Sequence, residues 1–287
     1  MLVNKQKRKK KPPGKNPTLL RFSVLMVVGY FSLTAFVDYQ LEKKQFYGAY
    51  EDCHKIWSAR GLYVSRVEQN SIESVKRAFS RGARGVEIDL FFDLQLKQFV
   101  ISHDLPYRLK NGALLSLESL LDETGEGGYF WLDFKHLSRL NSGEVEEALL
   151  RLKTITAKNN LKEKIYVEGE NPLNLSLFRK AGFKTILDVR PLPDHYFFSS
   201  VLMNVFKAVY YFGDFTVMGM QYGGLNTPIY GPDAKKTLRD VPVFLYHVPV
   251  DEPLLKGLSA LQQVRVLLAG RDQSVDRFEI NTCSDLT

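Results

Sequence analysis

Arg81-Gly82-Ala83-Arg84-Gly85-Val86-Glu87-Ile88-Asp89-Leu90, followed after a short gap by Phe99-Val100-Ile101-Ser102-His103-Asp104, is the stretch that decides the fold. Gly85–Leu90 reads as a strand. Glu87 and Asp89 flank Ile88 and so project to the same side. Phe99–Ser102 reads as a second strand. Residues 91–98 are too few for a crossover helix, so this stretch folds back on itself. It thereby carries His103 and Asp104 toward the end of the preceding strand.

Outward from this point, short runs rich in Val, Ile and Phe alternate with amphipathic stretches. Further strands are predicted at Lys55–Ser58, Phe130–Phe134, Lys164–Glu168, Thr185–Val189, Phe215–Met220, Val241–Tyr246 and Val264–Leu268, with a weaker one at Arg277–Asn281. Helices are predicted at Ser71–Ser80 (capped by Asn70 or Ser71), Gly143–Asn159, Pro172–Lys180 and Glu252–Gln262, the last with Pro253 in its first turn. Strand and helix alternating over some 230 residues is an α/β pattern, and about eight strand units in one domain favour a closed β/α (TIM-type) barrel. No Gly-x-Gly-x-x-Gly follows a strand, which argues against a dinucleotide-binding sheet.

The 287 residues carry a formal charge of +7, but residues 1–21 alone contribute +8 without an acid. The rest of the chain is therefore near neutral, and the absence of a basic face argues against nucleic-acid binding. Phe22–Val37 is uncharged, and with residues 19 and 20 the run approaches the ~20 residues that span a bilayer. The basic residues on its N-terminal side predict a cytoplasmic tail (1–18), a single transmembrane anchor (19–37) and an extracytoplasmic remainder. That remainder comprises a linker (38–52) and a barrel domain (53–287). The apolar stretch Tyr196 to Phe212 reads either as a helix packed on the barrel or as one that dips into the membrane surface. Cys53 and Cys283 lie near the two ends of the barrel domain, where they are either one disulfide or two unrelated thiols.

In a β/α barrel, polar residues at the strand C-termini converge on one mouth. Here they comprise Arg60, Glu87, Asp89, His103, Asp133, Lys135, Glu168, Asp188, Arg190, Gln221, Tyr246 and His247. Carboxylates with an arginine, a lysine and a histidine suit a hard divalent cation, Mg²⁺ or Ca²⁺, beside a phosphate.

Four segments in order carry a resemblance: Ser58-Ala59-Arg60-Gly61, Gln69-Asn70-Ser71, the Arg81–Asp89 stretch, and Phe99–Asp104. Together they resemble the N-terminal half of the glycerophosphodiester phosphodiesterases, and Phe130–Lys135 is similar to that family's Ile-Glu-x-Lys strand. The resemblance covers residues 56–135. It implies a PLC-like phosphodiesterase barrel, metal ligands at Glu87, Asp89 and Asp133, a phosphate contact at Arg60, an acid/base at His103 and a supporting Lys135. The implied substrate is a glycerol- or lipid-derived phosphodiester. Three positions depart from the pattern. Ala59 stands where the family has its first histidine, Asp133 replaces a glutamate, and Gln69 replaces an acid. Loss of one proton-transfer group costs ~10²–10⁴ in rate. The sequence therefore supports two readings, a metal-assisted phosphodiesterase and a barrel that binds a phosphodiester without turnover.

Overall fold

Eight strands close into a parallel barrel in a computed structural model that describes residues 17–46, 48–270 and 275–280. In chain order the strands are β1 (Ile56–Ala59), β2 (Gly85–Asp93), β3 (Gln98–Ile101), β4 (Tyr129–Phe134), β5 (Ile165–Gly169), β6 (Lys184–Asp188), β7 (Val217–Gln221), β8 (Val243–Val248) and β9 (Val264–Ala269). β1 pairs with both β2 and β9, which closes the ring. β3 stands outside it, antiparallel to the upper half of β2 from Leu90↔Ile101 to Asp93↔Gln98. The hairpin turn is local chemistry: the Asp93 carboxylate accepts from the N–H groups of Gln95 and Leu96 at 2.9 and 2.8 Å.

The helices are α1 (Pro17–Lys43), α2 (Ile72–Ser80), α3 (Leu117–Thr124), α4 (Ser142–Lys158), α5 (Pro172–Lys180), α6 (Ser199–Phe212), α7 (Pro232–Thr237) and α8 (Glu252–Ser259). Ser71 caps α2, trading side-chain contacts with Ser74. Asn70, the other cap candidate, takes a different role at the site. Residues 277–279 form a single 3-10 turn and not the expected strand. With β9 already paired to β1, the barrel has no free edge for another strand.

Two apolar layers hold the fold together. Outward-facing residues of the strands, such as Val86, Ile88, Phe130 and Leu132, are buried against the helices. Inside, Trp57, Trp131, Tyr166 and Phe244 fill the lower barrel, joined by Ala49 and Tyr50. The Trp57 ring lies 5.6 Å from Phe244 and 6.0 Å from Tyr166, in edge-on contact. Gly85 is needed for this plug, because a Cβ there would meet the Trp57 indole at 2.3 Å. Truncating such a buried aromatic costs ~3–5 kcal/mol.

The N-terminal helix does not stop where its apolar run ends. It continues through Lys43, with Val37 and Leu41 buried against the barrel domain. Lys207 on α6 pairs with Asp38, and Asn204 donates to the Tyr30 hydroxyl at 3.1 Å. The stretch Tyr196 to Phe212 is thus helical from Ser199, with Met203 and Tyr210 buried. α1 is the one helix among the described residues long and apolar enough to cross a membrane, a property that signal sequences share. Cys53 is disulfide-bonded; Cys283, the chain's other cysteine, lies outside the described residues, as does the basic tail before Pro17.

Candidate active site at the barrel mouth

Inward-facing strand positions change character with height. Trp57, Trp131, Tyr166 and Ile186 form the lower layer; two residues further along the same strands stand Ala59, Asp133, Glu168 and Asp188. Register places Ala59 opposite Glu87, Asp89 opposite Asp133, and Asp133 opposite Glu168. Neighbouring strands are ~4.8 Å apart, so acids from β2, β4 and β5 form a continuous row.

Asp89 is the centre of the arrangement and is fully buried. Arg60 Nε reaches one of its oxygens at 2.9 Å and Lys135 Nζ the other at 2.8 Å. Asn70 clamps it from the side, donating to Oδ2 at 2.9 Å and accepting from the Asp89 N–H at 3.1 Å. The backbone around Arg60 makes this possible. Arg60 and Gly61 both have left-handed φ values, 59° and 79°. A Cβ at Gly61 would lie 2.4 Å from the Ser74 hydroxyl, so the turn admits only glycine there. Lys135 also pairs with Asp133, and the Arg60 N–H lies 3.2 Å from a Glu87 carboxylate oxygen.

The carboxylates divide by charge state. Burial works against ionising Asp89, but Lys135 and Arg60 outweigh it and hold its carboxyl below the usual range. Burial and the nearby charge of Asp89 push Glu87 well up and raise Asp133 as well. Glu168 is raised by burial and by Asp133 and Asp188, and its Oε2 accepts from the Trp131 indole at 2.6 Å. Burial, followed by Asp133 and Glu170, pushes Asp188 up to about 7, with the Tyr246 hydroxyl donating at 3.2 Å. Five acids thus crowd a site in which Arg60 and Lys135 bear on Asp89 and Arg190 stands 4.0 Å from Asp188.

A divalent cation fits this surplus. Glu87, Asp89 and Asp133 each offer a carboxylate oxygen, and these oxygens lie within 4.8 Å of one another. All are hard oxygen donors, as Mg²⁺ and Ca²⁺ require. Glu87 and Asp133 are raised first by burial and also by the charge of Asp89, which a bound cation would offset.

Above this floor opens a cavity of about 750 Å³. Arg60, Glu87, His103, Asp133 and Lys135 line it, and Asp89 lies beneath, so all six candidate residues come together. The β2–β3 hairpin delivers His103, whose Nδ1 sits 2.7 Å from Asp104. Asp104 is held in turn by Arg108 at 2.9 Å. Ala59 faces the same cavity at the end of β1. His54 belongs to the segment before β1, at the other end of that strand, where it pairs with Asp52 at 2.8 Å and cannot stand in for a histidine at Ala59.

Other lining residues come from later strands and loops: Asp188, Tyr246 and His247, which the sequence places at strand ends, and His136 and Arg139, which it gives no reason to single out. His136 takes a left-handed φ of 66° straight after Lys135 and packs on the Phe91 ring at 4.5 Å. Its only advance signal is its place directly after the paired Asp133 and Lys135. Glu170, also at the rim, pairs with Arg190.

No protein-family model and no curated protein matches the sequence. Similarity appears among solved structures. A glycerophosphodiester phosphodiesterase from Parabacteroides distasonis matches at a TM-score of 0.56 and 18% identity, over 75% of this chain and 92% of that one. The Thermotoga maritima glycerophosphodiester phosphodiesterase matches at 0.54 and 16%, over 78% and 95%. An Oleispira antarctica phosphodiesterase, solved with its product sn-glycerol-3-phosphate, matches at 0.56 and 15%, over 80% and 96%. The barrel fold is the one these phosphodiesterases share.

Proposed function

We propose that the protein is a metal-assisted phosphodiesterase acting on a glycerol- or lipid-derived phosphodiester at the barrel mouth. The observation that carries this reading is the cluster of Glu87, Asp89 and Asp133 with Arg60 and Lys135, at the mouth of a barrel of this fold. A divalent cation held by the three carboxylates supplies charge neutralisation for phosphate oxygens. Arg60 offers a guanidinium to the same group, Lys135 keeps Asp89 and Asp133 in place, and His103 handles a proton at the bridging oxygen. Asp188, pushed up to about 7 by burial and by Asp133, lines the same cavity and is the candidate for the acid role that Ala59 cannot fill. The apolar helix α1 serves as a single membrane anchor, with the basic tail cytoplasmic and the barrel on the far side.

Ala59 favours one competing reading, a barrel that binds the phosphodiester without turnover. Hydrolysis assays of the full chain in detergent separate the two. A panel of glycerophosphodiesters and lysophospholipids is tested with Mg²⁺, with Ca²⁺ and with chelator. Cation-dependent release of a phosphomonoester supports the enzyme. Ligand binding without release across the panel supports the binding reading instead.

A further inference from the structure

Near its upper end β8 carries one residue too many for its neighbour. Leu245 pairs with Leu267 of β9 and Val248 with Ala269, so three steps along β8 match two along β9. The side chains tell the same story. Phe244 lies in the inner aromatic layer and Leu245 in the outer one; Tyr246 turns inward to reach Asp188 at 3.2 Å, and Val248 is outward again. His247 is the residue left over. Its φ of 52° is left-handed, which is uncommon for a residue other than glycine. Backbone pairing holds on either side of it. The Tyr246 carbonyl accepts from the Tyr222 N–H at 2.9 Å, and the Val248 carbonyl accepts from the Gly270 N–H at 2.8 Å.

A bulge of this kind re-aims a side chain. In regular alternation His247 would point away from the barrel interior, opposite to Tyr246. Instead both line the cavity that holds Arg60, Glu87 and His103. The His247 ring stands edge-on to the Tyr246 ring, with centroids 5.0 Å apart and planes at 84°. Around the closed ring β8 is three strands from β2, by way of β9 and β1. In an eight-stranded circle that is about 135°. The β2–β3 hairpin carries His103, so these two imidazoles face the cavity from well-separated sides. His136, a third histidine at the cavity, follows β4, the strand beside β2, and so stands on the His103 side.

In-line displacement at phosphorus brings one oxygen in as another leaves on the opposite face. On the phosphodiesterase reading, on which this step rests, His103 and Asp188 serve the departing oxygen, and the attacking hydroxyl still needs a base. We propose that His247 is that base, placed at the mouth by the β8 bulge. The imidazole takes the proton of the attacking hydroxyl, whether of water or of the substrate, and the freed electron pair forms the new O–P bond. The bond from phosphorus to the bridging oxygen breaks, and that oxygen takes a proton from His103. His247 then returns its proton to solvent.

Single-turnover hydrolysis by the full chain in detergent with Mg²⁺ tests the assignment. The substrates are a glycerophosphodiester whose alkyl alcohol leaves poorly and its p-nitrophenyl analogue, whose phenolate leaves without an acid. His247→Asn and His247→Gly both accept a left-handed φ, so the bulge is kept while the base is lost. Each should lose ~10²–10⁴ in rate on both substrates, whereas the loss in His103→Ala should shrink on the p-nitrophenyl analogue. Free imidazole should restore part of the rate of His247→Gly, where the missing ring leaves room for it, and none of that of His247→Asn. A loss below ~10-fold in both variants, a loss that shrinks with the better leaving group, or a His247→Gly rate that imidazole does not lift overturns the assignment. No turnover by the parent protein on either substrate sinks the phosphodiesterase reading itself, and the assignment with it.

Discussion

Asp89 and Asp188 are both buried carboxyls at the mouth of the same barrel, yet their surroundings drive them in opposite directions. Asp89 has Arg60, Lys135 and Asn70 within hydrogen-bond distance and stays ionised. Asp188 has a tyrosine hydroxyl, a distant Arg190 at 4.0 Å and two acids nearby, and is pushed up to about 7. Asp89, clamped by Arg60, Lys135 and Asn70, is therefore a fixed charge at the centre of the β1, β2 and β4 side, with the raised Glu87 and Asp133 beside it. The side built from β5, β6 and β8 is poor in positive charge and able to keep protons. The contrast between Asp89 and Asp188 arises from where three cationic and amide groups, Arg60, Lys135 and Asn70, are placed.

The largest expected effect removes that fixed charge. Asp89→Ala leaves Arg60 and Lys135 facing each other without their shared acceptor, which should cost ~3–5 kcal/mol of stability and abolish turnover. Denaturant unfolding beside the hydrolysis assay checks both; a variant as stable as the parent would show that Asp89 does not organise its side of the mouth. Next, His103→Ala should slow hydrolysis by ~10²–10⁴ with no change in unfolding midpoint, because His103 sits at the cavity edge and packs little. Single-turnover kinetics on the purified variant give the number.

Restoring a histidine sharpens the comparison. Ala59→His introduces a proton-transfer group on the Asp89 side, and turnover should rise on the order of 10²-fold if that function is missing. An unchanged rate together with a loss in Asp188→Asn would mean that the proton-holding side already does this work. The smallest effect is on stability against pH. Below 3.8 the Asp188 carboxyl is protonated whether or not the chain is folded; between 3.8 and about 7 the unfolded chain ionises while the folded state keeps the proton, and above about 7 both are ionised. Stability is thus present at low pH and lost on the way up. Without divalent cation the melting temperature should fall by a few degrees from pH 5 to pH 8. Mg²⁺ or Ca²⁺ should offset much of the fall, and Asp188→Asn should reduce it.

The two sides also differed in how far the sequence disclosed them. β2 and its hairpin were legible because period-two alternation, short spacing and side-chain chemistry agree over one stretch of chain. The nine strands came within a few residues of their observed bounds for the same reason. The expected strand at Arg277–Asn281 failed because closure of β9 on β1 is a property of the whole ring. Short α3 and α7 escaped notice, each too brief to display a helical period. At the site, Asn70 read as a helix cap because local sequence favours that role; only the fold brings Asp89 to it, nineteen positions away. The proton on Asp188 was hidden because it depends on Asp133 and Glu170, brought close by strands and loops that sequence does not align.

The aromatic plug made by Trp57, Trp131, Tyr166 and Phe244 has a kinetic consequence. It turns the barrel into a blind cup with no rear exit. On the phosphodiesterase reading, whatever enters past His103 must leave past it, so both halves of a cleaved molecule would queue at the opening used by the next one. A phosphomonoester product should therefore inhibit competitively, and its departure, rather than bond cleavage, becomes a natural candidate for the slowest event in the cycle.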